Sequence, residues 1–336
     1  MTAQTTYFEG PKVTNGDIVA YAKAKVNLPK ETVDDRRGQL DYLKRRLEFW
    51  IAEHPDYNLR KIRGSGSVTK GTALKGSSDA DMVAYVESAA VGGVSVPEAD
   101  LLMWLRDRLI EVYGATKKPE DFAISHHAVG ITYSSGLKVD VAPVIYEGEL
   151  DDRGHLVTRQ GERVLTSVKL HLEFIRARKS THGKNYAQLI RLLKAWVREQ
   201  KRTDENFRCK SFLVELVVAH LADEGWQGRR LDMDDLTVAL EQVFAFIAGT
   251  GMRQRISFAD YYSADDLPAQ TGTAMEVFDP VNPNNNVVKD YSLADQQTLS
   301  RAAADALDAI SEAAYADTKG RAASAWKRVF GPGFGV

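Results

Sequence analysis

Residues 62–86 constrain this chain more than any other stretch. They read as a strand, a small-residue turn, a short connection and a second strand. Lys61 and Ile62 end an extended run. Gly64, Ser65, Gly66 and Ser67 then let the backbone turn and approach a ligand closely. Asp79 and Asp81 open a run of strand formers, Met82 to Val86. Residues two apart on a strand share a face, so the two carboxylates stand side by side toward the Gly-Ser turn. Adjacent carboxylates repel unless a cation lies between them. Hard oxygen donors suit Mg²⁺, which keeps its remaining positions for water and substrate phosphate. Alone, an Asp-x-Asp or a Gly-Ser pair is a common surface feature. In this order and spacing they are the apparatus of nucleotide chemistry.

The chain has 336 residues, enough for two lobes with a core in each. Lys and Arg total 44 against 46 Asp and Glu, which argues against a surface built throughout to grip nucleic acid. Cys209 is the only cysteine, so no disulfide framework or multi-cysteine zinc site is available. Met1 to Gly10 is polar, and no apolar run is long enough to span a bilayer. A cytoplasmic protein with no membrane partner is expected.

Helices are expected over Asp17–Val26 and Glu31–Glu53, the latter on the stripe Leu40, Leu43, Leu47, Trp50 and Ile51. Ala89–Ser95 reads as a small-residue loop. Pro97 starts a helix that runs to Tyr113. Strands are expected over Ala123–Tyr133 and Leu137–Tyr146, with His126 and His127 on opposite faces of the first. The second puts Val139 and Val141 on one face and Asp140 on the other. A charge inside an apolar strand is costly unless paired or metal-bound, so Asp140 joins Asp79 and Asp81 as a third metal ligand. Gly148–Val168 is turn-rich and suggests a hairpin. From Leu170 the apolar period becomes helical, and four stripes predict a helical bundle. The Pro/Asn-rich segment Asp279–Asn286 is expected on the surface. Three residues of the bundle half carry chemistry worth weighing. Lys194 flanks its helix stripe, where a cation could reach across a cleft. Ser211 could cap a helix, and Phe212 could offer a stacking face. On the residues alone, a solvated lysine, an N-cap and a core phenylalanine are the better readings.

Gly66-Ser67 followed by Asp79-Ala80-Asp81 resembles the signature of the DNA polymerase β-like nucleotidyltransferases. The string from Lys70 to Asp81 is similar to the oligoadenylate synthetase and cyclic GMP–AMP synthase branch. Segments across nearly the whole chain resemble the bacterial CD-NTases of anti-phage CBASS operons, in the clades linked to HORMA-domain proteins. They include Lys23–Pro29, Arg153–His155, His171–Lys179, Phe278–Asn286 and Ala325–Gly331. The resemblance implies an α+β, two-lobed fold: a mixed sheet in a catalytic lobe, residues 1–169 with the N-terminal helices, and a helical lobe, residues 170–336. It implies that Asp79, Asp81 and Asp140 bind Mg²⁺, or Mn²⁺ in its place. Gly66 and Ser67 would hold phosphates, Lys194 and Ser211 would contact the donor triphosphate, and Phe212 would stack on its base. The implied activity joins ATP into a cyclic 3′-5′ tri-adenylate with release of pyrophosphate, with other NTPs as further candidate substrates. The implied activator is a HORMA-domain protein, helped by DNA. The rivals are transfer of one nucleotide to a protein, RNA or small molecule, a linear oligoadenylate synthase, and a partner-binding module with a dead site.

Overall fold

The computed structural model describes residues 10–54, 59–87, 100–146, 150–157 and 162–335. Its sheet is mixed. β1 (Leu59–Ser65) runs antiparallel to β2 (Asp79–Glu87), and β2 runs parallel to β5 (Lys138–Tyr146). β4 (Val129–Thr132) and β3 (Phe122–Ile124) extend it antiparallel, giving the order β1-β2-β5-β4-β3. A hairpin of β6 (Gly154–Val157) and β7 (Arg163–Thr166) pairs with the C-terminal end of β5.

The two faces of the central β2–β5 pair follow from strand alternation. On one face Ala80, Met82, Val139 and Val141 are buried under α2 (Lys30–Glu53) and α4 (Leu101–Tyr113), which contribute Leu40, Leu43, Leu47, Leu105 and Leu109. The other face carries Asp79, Asp81, Val83 and Tyr85 on β2, with Asp140, Ala142 and Val144 on β5. Val83, Tyr85 and Val144 pack with Val168, the first residue of α5 (Val168–His182). That face is thus apolar at one end and acidic at the other.

The helical lobe is built around α6 (Lys184–Thr203), in which Leu189, Leu192, Leu193, Trp196 and Val197 are all buried. α7 (Ser211–Glu224), α8 (Leu236–Thr250), α9 (Leu293–Ala314) and α10 (Lys319–Phe330) share its core. Side-chain caps fix several of their starts. Asp235 accepts the amides of Thr237 and Val238, and Ser292 and Asp295 form a reciprocal capping box.

Several sequence expectations need correction. The helix over 17–26 is α1 (Asn15–Tyr21) continued by a π-helical turn, Ala22–Val26, and it packs in the helical lobe's core rather than with the sheet. The apolar residues Ile18, Tyr21, Ala22 and Val26 find their partners there. The strand over 123–133 is two strands, because Ser125 turns the chain by bonding its hydroxyl and amide to the Ala128 carbonyl. His126 and His127 therefore lie in the turn, with ring centroids 4.2 Å apart. Asp279–Asn286 is not surface structure: Asp279, Val281, Asn282 and Asn286 are buried. Its polar side chains tolerate this because each is satisfied. Asn286 Oδ1 accepts the Val277 and Val288 amides, and its Nδ2 donates to the Met275 carbonyl. The loop expected over 89–95 and the helix start at Pro97 lie outside the described residues.

Candidate active site

Register brings the acidic residues together. In the parallel β2–β5 pair Asp81 sits opposite Asp140, and in the antiparallel β1–β2 pair it sits opposite Ser65. The chain then turns at Gly66 (φ +64°), which opens the five-residue α3 (Gly66–Lys70). A Cβ on Gly66 would come within 1.7 Å of Asp81 Oδ2. Glycine is therefore required twice, for its backbone conformation and for the space that the carboxylate takes. Gly66 and Ser67 form the first turn of a short helix, not the open loop that their composition suggests. Gly71 (φ +73°) ends it.

The electrostatics of the pair are unfavourable for bare charge. Burial pushes the Asp81 carboxyl above the ordinary range, and the nearby Asp140 and Asp79 charges push the same way; Lys70 and Lys194 oppose them. Asp140 Oδ1 is buried without a hydrogen bond, and the Lys138 ammonium lies 3.4 Å from it. Asp79 turns outward and accepts from the Ser78 hydroxyl at 3.1 Å. Among the described residues no three His, Cys, Asp or Glu side chains are gathered around one ion-sized point. Of the three carboxylates expected to share a metal, Asp81 and Asp140 stand as a pair across neighbouring strands and Asp79 lies at the pair's edge. Like charges turn apart when Ser78, Lys138 and the Arg36 charge are within reach of them. The donor set still fits a hard divalent cation: a buried carboxylate oxygen that accepts no hydrogen bond, a neighbouring acid whose charge burial disfavours, and no soft ligand.

A cavity of about 210 Å³ opens between the lobes at Gly66, the residue that abuts the Asp81 carboxylate. Ser65, Gly66, Lys70 and Val83 line it from the sheet and the short helix, and Thr166, Val168, His171, Leu172 and Phe212 from β7, α5 and α7. A hollow of about 260 Å³ in the helical lobe, near Trp226 and Glu241, does not border the carboxylates.

The lysines are arranged differently from expectation. Lys194 does not flank a cleft; it is only 5% exposed. Its ammonium donates to Glu215 Oε1 at 2.5 Å and to the Thr72 hydroxyl at 3.0 Å. Glu215, also buried, accepts from Lys70 at 2.9 Å and from Thr72 at 3.1 Å. Burial works against the Glu215 charge, but the two ammoniums outweigh it and hold its carboxyl at about 2. Burial also lowers the Lys194 ammonium, and the pull of Glu215 offsets this only in part. Lys70 is the cation that reaches the cavity, with its ammonium 4.9 Å from the Phe212 ring centroid. Sequence reasoning missed Lys70 as a site residue, although it lies four positions after Gly66 and hence on the same side of one helical turn. Ser211 is exposed at the first position of α7 and caps nothing; Lys210 holds the cap position. Phe212 is half-buried, lining the cavity and packed against the core of the helical lobe.

No family model matches the chain. It is, however, 38% identical over 326 residues to the cyclic AMP-AMP-AMP synthase of Escherichia coli strain MS 115-1, covering 96% of this chain and 98% of that one. The chain belongs to the CD-NTase family of CBASS oligonucleotide cyclases. It is accordingly a nucleotidyltransferase that makes a cyclic oligonucleotide in anti-phage defence. A CBASS oligonucleotide cyclase, CdnC, of Escherichia coli strain KTE188 is 26% identical over 330 residues, with 96% and 98% of the two chains covered. Among solved structures, the Escherichia coli MS115-1 CdnC with ATP superposes with a TM-score of 0.89 at 38% identity, covering 97% of this chain and all of that one. The same protein in a CdnC:HORMA-deltaN complex gives 0.89 over 97% and 99%. The Vibrio cholerae cyclic AMP-GMP synthase DncV matches at 0.67 and 13% identity, over 96% and 97%, and shares the polymerase β-like fold. Among the described residues no helix is long and apolar enough to cross a membrane.

Proposed function

We propose that this cyclase joins three ATP molecules into a cyclic 3′-5′ tri-adenylate. The observation that carries the reading is the in-register Asp81–Asp140 pair packed against Gly66, which itself lines the interlobe cavity. The name of the synthase that is 38% identical supports the product. Mg²⁺, or Mn²⁺ in its place, would be held by Asp79, Asp81 and Asp140, and when bound it acidifies the attacking ribose hydroxyl and neutralises the triphosphate. The Gly66 and Ser67 amides, with the Ser67 hydroxyl, orient the donor phosphates. Lys70 adds the positive charge that faces them, while Lys194 works from behind through the shared Glu215. Ser211 reaches the phosphates from the start of α7, and Phe212 stacks on the donor base. The lobes around the cavity keep water from the reacting phosphorus.

Activation is proposed to come from a HORMA-domain protein, with DNA as a second signal; a CdnC–HORMA complex of the similar Escherichia coli protein supports this. The chain's balanced charge makes it a poor sensor of long nucleic acid by electrostatics alone. The test supplies each NTP alone and in pairs, with and without the operon's HORMA protein. The product is then digested with phosphatase and a 3′-5′-specific nuclease. A phosphatase-resistant, nuclease-sensitive trimer made only of adenosine is expected, in greater yield with the HORMA protein. A linear or 2′-5′ product, a requirement for GTP, or yield indifferent to the HORMA protein would overturn the corresponding part.

A further inference from the structure

The buried segment Asp279–Asn286 holds one residue of the cavity's lining, His171, through Asp279. Asp279 is buried and accepts from His171 Nε2 at 2.7 Å. Its carboxylate also accepts the Val281 amide at 2.8 Å and Asn285 Nδ2 at 3.2 Å. Those bonds hold it charged and fixed: burial raises its carboxyl, but His171 and the other donors pull it below the ordinary range. His171 lies in the first turn of α5, on the face that also presents Val168 and Leu172 to the cavity. Its ring meets Phe212 edge-on, at 86° and 5.6 Å between centroids. The side chain keeps 16% exposure, and Nε2 makes its one hydrogen bond, to Asp279.

In the neutral imidazole these contacts set a hydrogen-bonding polarity, whereas an imidazolium would donate from both nitrogens. An imidazole that donates Nε2–H to a buried carboxylate is held, in its neutral form, in the tautomer that leaves Nδ1 as an acceptor. A base stacked on Phe212 cannot be identified by stacking, because every base has a π-face. Its edge must be read instead. Ser65 and Lys70 line the cavity from the sheet and the short helix, on the side of the carboxylates, where phosphate belongs. His171 lines the cavity beside the stacking ring. An acceptor there matches the 6-amino donor of adenine and opposes the O6 acceptor of guanine.

We infer that His171, held by Asp279, is a specificity-determining residue that reads the 6-amino group of the donor adenine. This rests on the reading of the cavity as the donor site. The segment Asp279–Asn286 is then the buried brace that sets the polarity of the reader.

The test measures donor selectivity of the full chain with Mg²⁺, as the ratio of kcat/KM for ATP to that for GTP in competition. His171→Phe keeps a ring but removes the acceptor, and His171→Asn keeps an acceptor near the position of Nδ1. The Phe variant should lose about two- to tenfold of the ATP:GTP ratio, the value of one net hydrogen bond, and the Asn variant should keep most of it. An unchanged ratio in the Phe variant, or equal losses in both, overturns the inference. A second measurement needs no variant: purine riboside triphosphate lacks the 6-amino group, and wild type should use it about two- to tenfold less well than ATP. Equal use overturns the inference. Asp81→Asn run alongside separates the two levels. Turnover by that variant would break the donor-site reading itself, whereas a dead Asp81→Asn with unaltered base selectivity in His171→Phe breaks only the role of His171.

Discussion

Glu215→Gln removes one charge from the interlobe network with almost no change of shape. Glu215 is the shared acceptor of Lys70, Lys194 and Thr72, and both it and Lys194 are buried. Breaking a buried ion pair by neutralising one partner costs about 3–5 kcal/mol, because the other charge is left without compensation. Gln keeps an oxygen acceptor, so the low end, about 3 kcal/mol, is expected. For a chain of 336 residues that is a fall in Tm of about 4 °C. The pH dependence gives an independent check. The folded-state pKa of Glu215 lies at about 2, below its ordinary 4.5. Its stabilisation is therefore complete above 4.5 and is lost as the pH falls toward 2. The Tm difference between wild type and variant should be full at pH 7 and shrink through that acid window. Thermal unfolding followed by circular dichroism at a series of pH values reads both. A Tm within 1 °C of wild type at pH 7, on the scale of about 1.4 °C per kcal/mol, would mean that desolvation cancels the pair and would refute the reasoning.

Three further outcomes are expected. Asp81→Asn should abolish turnover yet raise Tm at pH 7, because it removes a charge that burial and Asp140 disfavour. The gain should vanish as the pH falls through the raised range of Asp81, where wild type is itself protonated; a Tm lowered at pH 7 would contradict this. Gly66→Ala should cut turnover at least about a hundredfold through displacement of the Asp81 carboxylate that a Cβ would meet at 1.7 Å, and near-normal kcat would contradict it. Phe212→Ala should raise KM for ATP about fivefold to a hundredfold, the value of one base-stacking contact, with a smaller change in kcat.

The sequence made the carboxylate site legible because strand alternation is rigid. Once Met82–Val86 and Val139–Val144 are strands, the faces of Asp81 and Asp140 follow. Two features resisted. Burial of Asp279 and Asn286 depends on partners more than 100 residues away in one case, His171, and within the same loop in the other, and composition alone reads such residues as solvated. The lysines resisted for the same reason. Lys194 flanks its apolar stripe as a solvated residue would, but Glu215 on the next helix draws it inward and leaves Lys70 to face the cavity. The turn at Ser125–Ala128 was hidden because its capping is done by a serine inside an apolar run.

The central claim is that the Asp81–Asp140 pair carries the chemistry, and Asp140→Asn tests it most directly. Asp140 holds no fold-critical hydrogen bond through Oδ1, so the variant should fold with wild-type Tm or slightly above. The measurement is the initial rate of pyrophosphate release from ATP with Mg²⁺ and the HORMA protein. A fall of at least about a thousandfold, with ATP binding retained, is predicted for loss of one ligand and its charge at the attacking hydroxyl. A rate within about threefold of wild type, a difference of less than 1 kcal/mol in barrier, would contradict the account.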